Sequence, residues 1–315
     1  MPSLKSPRKG SLQYWPRKRA SKFLPSVNWS AVNSGKNLQG FIGYKAGMIS
    51  VCVKDSSADS MTKGKKIIVP ATIIECPPMK VLSVRFYKNG IVATETLSEN
   101  LNKELKRKIK LPKQHKKFSD IKTEDYDDLR LIVYSEPAKA EIKKTPDISE
   151  IAIAGDYNSK INFAKEKLGK EILISEIFDK GQLVDIRGLT KGKGLVGPVK
   201  RFGLTLKQHK SEKGQRRPGS LGPWHPARVT FRAPLAGQLG MFTRVIYNNK
   251  ILDINKPTAD EKKLKAIKNY GDIKSEYVLL EGSVQGAAKR QILLTSPFRE
   301  TKWQKKKNYE VLELR

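Results

Sequence analysis

The stretch Lys191 to Ala233 constrains this chain more than any other. It carries eleven Lys or Arg against a single acid, Glu212, and glycines and prolines break it repeatedly. It lacks the regular apolar stripe of a long helix. Such a segment cannot bury a core of its own and repels itself, so it needs a polyanion to supply counter-charge and hold it in shape. The whole chain leans the same way. Its 62 Lys and Arg outnumber 31 Asp and Glu, for a formal net charge of +31. Nucleic acid offers the closely spaced negative charge that would neutralise such an excess. A membrane surface fits less well, because no long amphipathic basic helix is visible. The start MPSLKSPRKGSLQYWPRKRA has no apolar run, so no signal peptide is expected, and no apolar stretch approaches the roughly 20 residues of a membrane span. Two cysteines, Cys52 and Cys76, imply no disulfide framework and fit a reducing compartment.

With 315 residues the chain can form one large or two ordinary domains. We divide it into five segments. Residues 1–40 form an extended basic arm with Lys5, Arg8, Lys9, Arg17, Lys18, Arg19, Lys22 and Lys36 and no acid. Prolines interrupt any helix there, and the interleaved rings of Tyr14, Trp15, Phe23 and Trp29 suit stacking on bases. Residues 41–97 read as β-structure: Met48, Ser50 and Cys52 alternate with Ile49, Val51 and Val53. Ile67–Glu75, Val81–Tyr87 and Ile91–Thr96 are further strands, the last two joined by an Asn89-Gly90 hairpin turn. Residues 98–180 form a mixed α/β insertion. Ser98 should cap a helix with Leu101, Leu105, Lys108 and Ile109 at helical spacing, ended by Pro112, whose polar face holds Lys103, Lys106, Arg107, Lys110, Lys113, Lys116 and Lys117. That face is either solvated or, as we favour, set against phosphates. Leu129–Tyr134 reads as a strand, Ile148–Ala154 and Asn162–Leu168 as helices. Residues 181–190 and 241–315 return to β-structure, with strands at Phe242–Tyr247, Tyr277–Leu280 and Gln291–Leu294 and a Lys-rich surface helix over 256–269 begun by Pro257. Residues 191–240 form the central basic loop. The expected class is mainly β, a barrel of short strands carrying a long basic loop and an N-terminal arm.

Catalytic chemistry finds little support. Gly192-Lys193-Gly194-Leu195-Val196-Gly197 matches G-x-G-x-x-G, but Pro198 sits where a phosphate-binding helix should be established and no acid for a ribose follows. The glycines instead let backbone approach a phosphate chain closely. His115, His209 and His225 are unpaired with one another or with cysteine at zinc-ligand spacing, and the acids Glu124, Asp125, Asp127 and Asp128 read as a solvated surface. No nucleophile elbow is present. We expect no enzyme and no cofactor.

Trp224, in Gly222-Pro223-Trp224-His225-Pro226, has Arg216 and Arg217 before it and Arg228 after it. The ring either pins the loop from within a core or stands at its tip among RNA bases, on a turn the prolines stiffen. The arginines would bind phosphate, and His225 would act as a neutral hydrogen-bonding partner or as an imidazolium on a phosphate.

Five pieces of sequence resemble the large-subunit ribosomal protein L3 family, also called uL3, in its archaeal or eukaryote-like form. They are SPRKGSLQYWPRKRA, FIGYKAGM at Phe41–Met48, DIRGLTKGKGLVGPVKRFG at Asp185–Gly203, the run from Arg216 through GPWHPARV to AGQLGMFTRV, and GSVQGAAKRQILL at Gly282–Leu294. The chain's length suits the archaeal form better. The resemblance implies a six-stranded split β-barrel of the translation-protein kind and a central loop that reaches toward the peptidyl transferase centre. It also implies Trp224 at that loop's tip followed by His225, and an arm lying against the loop's base. It further implies a structural constituent of the large ribosomal subunit, bound to 23S/28S-like rRNA early in assembly, in the cytoplasm, beside other large-subunit proteins, with no homo-oligomer and no membrane. Any Mg2+ or K+ would belong to the rRNA. Many eukaryotic members carry a methylatable histidine near the place of Glu212, and that modification is not carried over. The expected rRNA-binding residues are Arg8, Lys9, Arg17, Arg19, Lys191, Lys193, Lys200, Arg201, Lys207, Lys210, Arg216, Arg217, Trp224, His225, Arg228, Arg232 and Arg244. The alternatives are an RNA-modifying enzyme or a free nucleic-acid-binding architectural protein.

Overall fold

The computed structural model describes residues 10–32, 37–112, 118–121, 125–210, 213–258 and 262–315. Arg8, Lys9, Lys113, His115, Lys116, Lys117, Glu124 and Glu212 fall outside them. Two compact units emerge. One joins the chain up to Lys22 to Leu189–Thr243; the other joins Phe23–Gly188 to Arg244–Arg315.

The larger unit holds two sheets. In the first, β1 (Gly40–Asp55) pairs antiparallel with β2 (Lys66–Glu75). The second sheet is built from β3 (Met79–Lys88), β4 (Ile91–Leu97), β5 (Asp128–Ser135), β6 (Ile148–Ala152) and β7 (Glu171–Ile172), with β3 central between β4 and β5. The helix α1 (Tyr157–Lys167) follows β6, and β8 (Leu183–Leu189) returns to the first sheet. In the smaller unit, β9 (Leu195–Val196) and β10 (Gly237–Gln238) form a two-stranded ribbon beside α2 (Pro198–Phe202). The remaining elements are β11 (Thr243–Asn255), β12 (Tyr277–Glu281), β13 (Gln291–Thr295), α3 (Lys302–Lys306) and β14 (Tyr309–Leu314). The first sheet runs β13-β8-β11-β12-β2-β1-β14, and β13 also pairs with β1, so six of its strands follow one another round a ring. Closure of this kind leaves few unpaired edges.

One core serves both sheets. Phe41, Ile74, Leu280 and Leu293 from the ring pack with Val84, Phe86, Leu131 and Val133 from the second sheet. Buried polar groups are held by hydrogen bonds, one set of which ties the ring to the second sheet. The Tyr44 hydroxyl lies 2.6 Å from Ser135 Oγ and donates to Asp147 at 2.7 Å. Burial and the neighbouring Asp147 push the Tyr44 phenol well above its usual range. Glu75, fully buried, accepts from the backbone N–H groups of Lys274 (2.7 Å) and Ser275 (2.8 Å), from Ser275 Oγ (2.9 Å) and from the Tyr270 hydroxyl. Four donors satisfy a carboxylate that would otherwise be costly to bury.

Several expectations need correction. The Asn89-Gly90 hairpin forms, with both residues at positive φ, but it pairs with β5 rather than with the ring, so the ring's first segment ends near Glu75. Ile148–Ala152 is a strand: the spacing of Ile148, Ile151 and Ala152 suits a helix, yet β-branched residues beside β5 gain more from pairing. The helix expected after Ser98 is a single 3-10 turn, Lys103–Arg107, because Ser98 N–H is drawn to the Leu82 carbonyl (2.8 Å) and the chain there is extended. Over 256–269 the described residues show one 3-10 turn, Lys262–Leu264, rather than a long helix. Trp29, Val32 and Leu38 are buried in the larger unit, so the expected arm gives way to body well before residue 40. Cys52 and Cys76 are buried and unbridged.

Candidate nucleic-acid interface

The smaller unit begins at a narrow neck. Thr190 N–H donates to the Phe242 carbonyl (3.0 Å), and Lys193 N–H to that of Leu239 (2.9 Å), before the β9–β10 ribbon. Gly240 makes the neck possible. Its φ is +79°, and a Cβ there would lie 2.0 Å from the Lys191 carbonyl oxygen. Only glycine allows this approach.

Beyond β9 the glycine-rich run does start a helix. Pro198 takes the first position of α2, where its missing N–H costs nothing, and Gly203 ends it in the left-handed region (φ 68°). This Pro-then-Gly signature was present in the sequence and corrects the expectation that Pro198 would prevent a helix. The helix is five residues long, too short to make the strand–turn–helix phosphate site.

The arm docks on α2 through protein contacts. Trp15 stacks on Phe202 (centroids 6.2 Å apart) and meets Phe231 edge-on at 5.5 Å. The Arg17 guanidinium lies over Phe202 at 4.3 Å. Arg17 donates to the Arg201 carbonyl (3.2 Å), and Arg201 donates back to the Arg17 carbonyl (3.3 Å). Arg201 also reaches the carbonyls of Gln238 and Leu235, each at 3.0 Å. Ala20 N–H closes the join on Met241 O at 2.9 Å. Burial lowers the Arg201 pKa. Two of the expected RNA-binding arginines thus hold the arm to the loop's base, and Trp15 is occupied by protein rings. The aromatic and arginine pairing across the sequence gap left no local signal.

The loop beyond α2 differs. Leu221 through Val229 is exposed at every residue. Trp224 is 80% exposed with φ 75°, a conformation that a bulky side chain rarely adopts without a holding partner. Lys191, Lys193, Lys200, Lys210, Arg216, Arg217, His225, Arg228 and Arg232 are exposed alongside, as is Arg19 in the arm, while Lys207 is half-buried. Arg244 stands in β11, half-buried and in the larger unit. The core reading of Trp224 therefore fails. Apolar Leu195, Leu206 and Phe231 are exposed on the same unit, so cations and apolar groups alternate over a surface without an acid among its described residues. Such a surface suits phosphates with bases between them.

Among the described residues no group of three or more His, Cys, Asp or Glu could hold a metal ion, and no helix is long and apolar enough to cross a membrane. The profile of the family described as Ribosomal protein L3 matches residues 1–314. The large ribosomal subunit protein uL3 of Picrophilus torridus is 40% identical over 305 residues, which is 94% of this chain and 92% of that protein. That of Archaeoglobus fulgidus is 39% identical over 307 residues (94% and 93%), and that of Methanocaldococcus jannaschii 39% over 310 residues (94% and 92%). Read together with the arm-clasped basic loop, these likenesses mean that the chain belongs to the ribosomal protein L3 family.

Proposed function

We propose that this chain is a structural constituent of the large ribosomal subunit, binding large-subunit rRNA during assembly rather than catalysing a reaction. The observation that carries this is the fully exposed run Leu221–Val229, framed by Arg216, Arg217 and Arg232. The unit that carries this run has no acid among its described residues to balance its cations, and folded rRNA supplies the counter-charge. Lysines and arginines displace counterions from phosphates, so RNA helices that repel one another can pack. RNA grooves are met mostly through shape, phosphates and sugar hydroxyls, so base-specific contacts are few.

The finer reading follows the same logic. The six-strand ring is the split barrel of translation proteins and forms the body. The loop reaches toward the peptidyl transferase centre, where Trp224 positions nucleotides without taking part in bond making. The subunit's 23S/28S-like RNA and neighbouring ribosomal proteins in the cytoplasm are its partners, Mg2+ and K+ stay with the RNA, and the protein acts as a single copy. The support is the exposed, positive-φ Trp224 on a cationic loop. The test is Trp224→Ala in assembled ribosomes. Subunits should still form, while chemical reactivity of reaction-centre nucleotides and antibiotic protection change, consistent with losing a stacking contact worth about 1–3 kcal/mol. Unchanged probing, tRNA binding and drug protection would refute it.

A further inference from the structure

The segment following β4, residues 98–112, crosses the face of the second sheet turned away from the main core. There Leu82, Ile132 and Tyr134 form a small separate core closed by Leu105, which is fully buried. The strap is rigidly seated. Asn102 caps the 3-10 turn by accepting from Glu104 N–H (3.1 Å), and Asn102 Nδ2 donates to Glu136 (3.1 Å). Lys108 and Ile109 N–H both return to the Leu105 carbonyl, at 2.8 and 2.9 Å. Arg107 is tied to the Lys144 carbonyl at 3.1 Å.

From Lys103 to Pro112 the strap carries five cations, Lys103, Lys106, Arg107, Lys108 and Lys110, against one acid, Glu104. All five cations are exposed, and among the described residues none is ion-paired to a carboxylate. On the sheet and on α1 beside it cations are answered: Lys80 by Glu136 at 3.2 Å, Arg85 by Glu95 at 3.0 Å, and Lys160 of α1 by Asp128 at 2.6 Å. The strap bends round an open depression of about 460 Å³ walled by Lys106 through Leu111. A hydrogen-bonded turn that displays five cations along its length suits an anion chain, because little backbone order remains to be imposed.

We infer that this strap is a second RNA-binding site, a clamp for the phosphate backbone, separate from the central loop. It rests on the proposed rRNA partnership, whose chemistry it extends to another class of element: a turn seated on a sheet in place of an exposed loop. Recognition there is through phosphates, so it is insensitive to base identity.

The test uses the full-length chain and a large-subunit rRNA transcript. Binding is measured against salt for the parent, for Lys103→Gln/Lys106→Gln/Lys108→Gln/Lys110→Gln, and for Arg216→Gln/Arg217→Gln. The strap variant should have a salt slope shallower by about 2 to 3 and bind at least about tenfold more weakly near 0.15 M salt, with an unchanged thermal midpoint. If the parent itself shows no salt-dependent rRNA binding, the proposed function fails and this site with it. If the parent binds, the loop variant weakens and the strap variant matches the parent, the strap inference alone is overturned. A photo-crosslinker placed at Lys106 in assembled subunits gives a readout independent of folding losses. Attachment to RNA supports the clamp, and attachment to a protein overturns it.

Discussion

The second sheet and the central loop handle similar cationic residues in opposite ways. On and beside the sheet, Arg130 meets Glu150 at 3.4 Å, Lys139 in the turn after β5 meets Glu171 at 2.6 Å, and Lys167 at the end of α1 meets Glu176 at 2.7 Å. Pairs of this kind contribute only about 0–1 kcal/mol each, but they remove repulsion, and the core supplies the stability. Leu189–Thr243 has eleven cations and one carboxylate in its sequence and cannot do the same. One region completes its electrostatics internally; the other leaves that to whatever it binds. Substitutions should therefore separate cleanly into those that cost stability and those that cost binding.

The largest effect should come from Glu75→Ala. It orphans Tyr270 OH, two backbone N–H groups and Ser275 Oγ inside the larger unit. The expected loss is about 3–5 kcal/mol in a denaturant melt, while RNA binding of the still-folded fraction is unchanged. A loss below about 1 kcal/mol would break the contrast from the sheet side. Arg201→Gln tests its boundary, because this cation acts as part of the protein. Losing its carbonyl contacts should cost about 1–3 kcal/mol locally and release the arm, read as faster amide exchange at Ala20. Unchanged exchange would return Arg201 to the RNA-facing set.

The smallest effect concerns acid. Asp55, buried in the larger unit, accepts from the Ser60 and Thr62 hydroxyls, both at 2.5 Å, and from Ser57 N–H at 2.9 Å. The Ser57 side chain foremost, then the Ser60 and Thr62 hydroxyls and the Ser57 N–H, hold its carboxyl far below the usual aspartate range. A depressed folded-state pKa means the stabilisation is fully present above the unfolded value and drains away as pH falls below it. Asp55→Asn should flatten the acid limb of the stability curve below about pH 4 and leave RNA binding untouched.

Much of this was legible in the sequence where the signal is local. Asn89-Gly90 fixes its own turn, and the Lys191–Ala233 composition forbids an internal core whatever surrounds it. The strap was not legible. Leu101, Leu105 and Ile109 have helical spacing, and distant partners such as the Leu82 carbonyl for Ser98 and Glu136 for Asn102 make the extended path cheaper. A barrel of short strands was expected, but the pair that closes it was hidden, since β1 and β13 lie some 250 residues apart and meet through backbone groups that every residue possesses. In the central basic segment, charge alone could not tell Arg201, spent on carbonyls, from Arg216, which is exposed.

The reciprocal bonds between Arg17 and Arg201 span 184 positions. During synthesis at about 5–20 residues per second, the arm emerges roughly 10 to 40 s before the helix that will grip it exists. For that interval the newly made arm is an unshielded polycation, open to proteases and to stray nucleic acid. Its exposure lasts until translation has delivered α2.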